Sequence, residues 1–199
     1  VPHSNIAQAL EQLPLLQCVQ LSESVLAEPP RLPHLQRLNL WIRSAGEAQH
    51  LAAAIQHLTE LTHLIVNDNF SNPETEAQLQ LPGLLQLAQL RELHYSGPVP
   101  PQVWYCPQLT ALTCYDNYLD QDDLPDADLQ LGRLERLQLC NAAWTFPPQL
   151  CRLEQLTSLL WVDEDPMEDN MKTLPADFSK LRWVGARGWV ICAHLMCML

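Results

Sequence analysis

Two histidines, two cysteines and two runs of carboxylates are the residues of this 199-residue chain whose types could do chemistry. His63 and His94 could ligate zinc, but a zinc site takes three or four protein ligands. No third one stands at a His-Glu-x-x-His or Cys-x-x-Cys spacing. Cys140 or Cys18 with a histidine would make a nucleophile–base pair. Neither cysteine follows a helix start or a basic cluster that would favour its thiolate. Cys140 and His94 also belong to segments two strands apart, too far for a direct hydrogen bond. Residues 116–128 and 163–169 hold 11 of the 23 acidic residues. Calcium binds such oxygen clusters, yet the Asp-x-Asp-x-Asp-Gly spacing of a calcium loop is missing. No glycine-rich phosphate loop is present either. The expectation is therefore no catalytic residue, no metal and no cofactor, which leaves recognition.

The elements that would carry such a role follow from a cassette, Leu-x-x-Leu/Val-x-apolar, that recurs eight times. Its anchors are Leu16, Leu35, Leu61, Leu90, Leu109, Leu134, Leu156 and Leu181, spaced 19, 26, 29, 19, 25, 22 and 25 residues apart. Three residues before each stands another apolar residue: Leu13, Leu32, Leu58, Leu87, Cys106, Leu131, Leu153 and Phe178. The alternation within the cassette is that of a half-buried strand. A unit this short cannot bury its own apolar face, so successive units must stack into a parallel sheet with the leucines in columns inside. Free Cys106 and Cys114 are expected on inward positions as small hydrophobes.

The return segments differ along the chain. Pro100, Pro125 and Pro147 lie nine residues before their anchors and predict short helices or turns on the far side of the sheet. Ala48, Leu51, Ala54, Ile55 and Leu58 recur at helical spacing within residues 45–57. Residues 5–13 read as an opening helix that caps the first strand. The chain is expected to be a single domain, with a cap helix over 1–12, repeats over 13–188 and a C-terminal cap or truncated segment over 189–199. That last stretch is apolar but only 11 residues long, short of the roughly 20 a membrane span needs. Val1 stands where an initiator methionine would, so a processed or excised chain is expected.

The cassettes and the later Pro-x-x-apolar-x-x-apolar-x-x-Leu runs, shown best by residues 146–156, resemble the leucine-rich repeat family over about residues 13–189. The later repeats are similar to the intracellular signalling and plant-type class. The resemblance implies an α/β horseshoe of about eight repeats, with a concave parallel sheet that binds another protein and short helices on the convex side. It implies scaffolding rather than catalysis. Alternatives are a ligand-binding fragment of a receptor, an immune receptor or a ubiquitin-ligase substrate adaptor, and a Cys-dependent enzyme. Asparagine follows the cassette only at Asn69 and Asn117, so irregular turns are expected.

Strand residues between the buried apolars should point to the concave face. Aromatic and arginine side chains dominate binding hot spots, so the expected anchors are Trp41, His63, His94, Tyr115, Arg136 and Trp183. Asp120, Asp122, Asp123, Asp163, Glu164 and Asp165 are expected on one edge, where they would attract a basic partner. A net charge of −12 opposes nucleic-acid and anionic-membrane binding. Seven cysteines without a Cys-x-x-Cys favour a reducing, cytoplasmic setting. An extracellular receptor fragment is the alternative, and the Asn69-Phe70-Ser71 sequon would then matter.

Overall fold

The computed structural model describes residues 4–13, 15–21, 32–42, 55–68, 81–97, 99–115, 124, 129–140, 148–162, 183–186 and 189–192. Among them runs one open sheet whose strands follow sequence order: β1 (Cys18–Leu21), β2 (Arg37–Ile42), β3 (His63–Asp68), β4 (Glu92–Ser96), β5 (Ala111–Tyr115), β6 (Arg136–Cys140), β7 (Ser158–Val162), β8 (Trp183–Ala186) and β9 (Trp189–Cys192). Strands β1 to β8 pair in parallel, and β9 turns back antiparallel to β8. This α/β arrangement, each strand laid beside the last, is compatible with a solenoid.

The register is the cassette alignment written in hydrogen bonds. Val19, Leu38, Leu64, Leu93, Leu112, Leu137, Leu159 and Val184 stand opposite one another across eight strands. A one-residue slip anywhere would turn a leucine column to water. From Leu38 to Leu159 that column is buried, as are Leu40, Val66, Tyr95, Cys114 and Leu139 two residues on. One carbonyl per turn ties the ladder at the strand starts. The amides of Arg91 and Glu92 both donate to Thr62 O (2.8 and 3.0 Å), and those of Glu135 and Arg136 to Thr110 O (2.9 and 3.0 Å).

The apolar-x-x-Leu spacing has its own physical meaning. Leu61 N donates to Leu58 O, Leu90 N to Leu87 O, Leu109 N to Cys106 O and Leu134 N to Leu131 O, all tight i to i−3 turns. A period of three matches the 3₁₀ helix, in which residues i and i+3 eclipse on one face. Leu81, Leu84, Leu87 and Leu90 are accordingly all buried, with 3₁₀ helices at Pro82–Gln86, Pro101–Tyr105 and Pro148–Arg152. Pro100 caps the second of these in extended conformation, the role its spacing predicts. Pro125 and Pro147 lie outside the described residues, and so does most of the helix expected over 45–57, of which Ile55 is buried in the core.

At the first end the opening helix α1 (Ser4–Glu11) forms, and its Leu10 packs against the core. Leu13 is 51% exposed, and Leu15 is exposed as well. Strand β1 pairs on one side only, so the apolar column is less covered there. At the other end Trp189–Cys192 forms the last strand of the sheet, β9. No helix among the described residues is long and apolar enough to cross a membrane.

Candidate functional site

The face of the sheet opposite the 3₁₀ helices collects the outward residues of successive strands. One row crosses it as Arg37, His63, Glu92, Ala111, Arg136, Ser158 and Trp183, each opposite the next. Five of the six expected anchors have described side chains on this face. Trp41 at the end of β2 and Tyr115 at the end of β5 are exposed, Arg136 is exposed, and His63 and His94 are half-buried. Trp183 is placed by its backbone on β8, but its side chain lies outside the described residues, as do Asp120, Asp122, Asp123, Asp163, Glu164 and Asp165 in full.

Three of those anchors are drawn together by a residue that sequence reasoning passed over, Glu92. Its Oε1 accepts from Arg136 Nη2 at 2.7 Å, and its Oε2 faces His63 Nε2 at 3.5 Å. Arg136 and Glu92 are two strands apart, with Ala111 between them in the register. The span is about 10 Å at the usual strand separation. An arginine can cross it only because the intervening side chain is a methyl. Ala111 is buried although it faces outward, and Thr113 beside His94 is buried too. An opposite-charge pair flanking a small residue in one row was the available signal.

On the other side of His63, Nδ1 lies 2.8 Å from Thr62 Oγ1, and that hydroxyl donates to Gln36 O at 2.9 Å. His94, two residues along from Glu92, has its pKa lowered from 6.5 by burial. Glu92 opposes that shift, while Arg136 and His63 reinforce it. A second polar link, Asn67 Nδ2 to Asn39 Oδ1 at 2.9 Å, joins β3 to β2 beside Trp41.

The cysteines divide as their positions predict. Cys106 and Cys114 are buried, and burial pushes both thiols up, Cys106 to about 12. Such thiols are poor nucleophiles. Cys18 is exposed, and Cys140 is half-buried with Gln138 Nε2 3.5 Å from its sulfur. Among the described residues, no three His, Cys, Asp or Glu side chains converge as a metal site would require. A shallow groove of about 440 Å³ is lined by Leu15, Gln17, His34, Gln36 and Glu60. No family model matches the sequence, and no curated protein matches it.

Proposed function

We propose that the chain is a leucine-rich-repeat solenoid of about eight repeats that binds a protein partner on its open, concave sheet face, without catalysis. The observation that carries this reading is the row of outward side chains held in fixed register, with Trp41 and Tyr115 exposed among polar groups already tied to one another. Large aromatics left in water on a rigid sheet are the residues from which binding hot spots are built. The same rigidity limits the ordering entropy that association costs. The buried, unpaired thiols of Cys106 and Cys114 support a reducing compartment, which we take to be the cytoplasm.

The test is affinity capture with mass spectrometry, comparing wild type with the Trp41→Ala/Tyr115→Ala double variant. The expected result is a protein captured by wild type and lost with the variant while the melting temperature is unchanged. Identical capture by both proteins removes the open face as the binding surface.

A further inference from the structure

Among the described strands, the outward positions carry a charge opposite to that of the chain. The whole sequence stands at −12. The outward positions of the described strands hold two arginines, Arg37 and Arg136, and one carboxylate, Glu92, which is +1 with the histidines neutral. Glu92 is already committed, one oxygen to Arg136 and the other towards His63. The guanidinium it holds is 59% exposed, and the bond to Glu92 uses one of its nitrogens. A guanidinium offers five N–H donors in a planar fork, enough for a second carboxylate on its other edge. Because Glu92 and the flat floor of Ala111 keep the side chain stretched across β5, less of its freedom is lost when that second carboxylate arrives.

We propose that Arg136, held by Glu92 and flanked by His63 and His94, binds a carboxylate of an acidic segment in a protein partner. The proposal rests on the open face being the recognition surface, and names the chemistry of what it recognises. An aspartate or glutamate meets the free edge of the guanidinium in two parallel hydrogen bonds, and Glu92 stays in place. Trp41 and Tyr115 give the rest of the segment apolar contact. The chain's overall negative charge does not forbid this. Charges beyond a Debye length of about 8 Å at physiological salt are largely screened, so the local groups decide.

Binding is also coupled to protons. The charged groups around His94 are Glu92 on its own strand, His63 from β3 and Arg136 from β6, while β5 contributes the uncharged Thr113. Burial lowers the pKa of the ring in the free protein. An incoming carboxylate favours the protonated ring, so affinity rises as pH falls.

Arrayed short peptides, acidic, neutral and basic, are probed with labelled wild type, Arg136→Gln, Arg136→Lys and the Trp41→Ala/Tyr115→Ala variant. Selected peptides are then titrated by fluorescence anisotropy at pH 7.5 and 6.0. Acidic peptides should be selected and bind more tightly at pH 6.0. Arg136→Gln should weaken them roughly tenfold or more, the scale of a charge-assisted hydrogen bond. Arg136→Lys, which keeps the charge and loses the fork, should fall between. Selection of basic peptides, or acidic ones held equally by Arg136→Gln, overturns the proposal. Neutral peptides that depend on Trp41 and Tyr115 but not on Arg136 overturn it while leaving the recognition face standing. Peptide binding that ignores both sets of residues removes both readings.

Discussion

Truncating Leu137 tests the repeat frame through its energetics. The side chain is 2% exposed on β6, opposite Leu112 on one side and Leu159 on the other, both buried. Leu137→Ala removes its apolar contact and leaves a cavity. How much of that cavity closes depends on whether the flanking leucines can move in. They are held by strands whose separation, about 4.8 Å, is set by backbone hydrogen bonds. The anchoring amides of Glu135, Arg136, Thr157 and Ser158 donate at 2.9–3.0 Å to carbonyls of the preceding turn. Collapse is therefore resisted, and the cost should fall in the upper part of the 2–5 kcal/mol range for buried leucines, about 3–4 kcal/mol. Leu13 occupies an anchor-related apolar position in the first unit but is 51% exposed. Leu13→Ala should cost under about 1 kcal/mol, because half of its surface is in water already. Urea denaturation followed by far-ultraviolet circular dichroism and by tryptophan fluorescence measures both. The two probes are needed because repeat arrays can unfold in parts. A cost for Leu137→Ala below about 1 kcal/mol, or equal costs at the two positions, would refute the column argument.

Four further outcomes follow from the same geometry. His94 has a folded pKa below its unfolded value, so the unfolded chain takes up the proton first. Stability is then full above pH 6.5 and falls as the pH drops from there through the folded value. His94→Asn should lose less stability than wild type between pH 7.5 and 5, and equal losses contradict the assignment. Gly97 has φ of 116°, a region that side chains rarely adopt, and its amide donates to Tyr115 O at 2.9 Å. Gly97→Ala should cost about 1–2 kcal/mol in chemical denaturation. Gly132→Ala, with open space around the added methyl, should gain about 0.4–1 kcal/mol. In native protein at pH 8, iodoacetamide followed by peptide mapping should label Cys18 within minutes and leave Cys106 and Cys114 unmodified until urea is added. Equal labelling of all three would contradict the inward placement of the last two.

What was legible in the sequence was what repeats. Leu64, Leu93 and Leu112 occupy the same place in their cassettes, so one alignment fixes eight strands at once. The short helices at Pro101–Tyr105 and Pro148–Arg152 were legible for the same reason, because a proline nine residues before the anchor recurs with apolar residues every third position after it. The Arg136–Glu92 bridge was not, because it needs three unrelated identities in one row: a cation, a carboxylate two strands away, and an alanine low enough to be crossed. The half exposure of Leu13 was not legible either, because its cassette is regular while β1 lies at the sheet's end and pairs on one side only. The stretch from Trp189 to Cys192 is uniformly apolar, and such a run fits an edge strand as well as a cap.

The row that bears the charges also fixes their distances, and this constrains what an acidic partner must look like. Arg37 and Arg136 are separated by four strand steps, through His63, Glu92 and Ala111. At about 4.8 Å per step their backbones are roughly 19 Å apart, but Arg136 reaches back over β5 to Glu92, which leaves its guanidinium about three steps, roughly 14 Å, from β2. An extended segment rising about 3.3 Å per residue covers that in about four residues. A segment lying across the strands therefore reaches both arginines with two acids about four positions apart. Glu92 lies between them and repels a third acid in the middle, where a neutral or basic residue is preferred. Peptides with acids at i and i+4 should outcompete those with acids at i and i+2 of the same net charge. Arg37→Gln should abolish that preference while leaving the dependence on Arg136 intact. Affinity that follows net charge alone, whatever the spacing, would mean that the arginines act as a diffuse field and that the register does not do the reading.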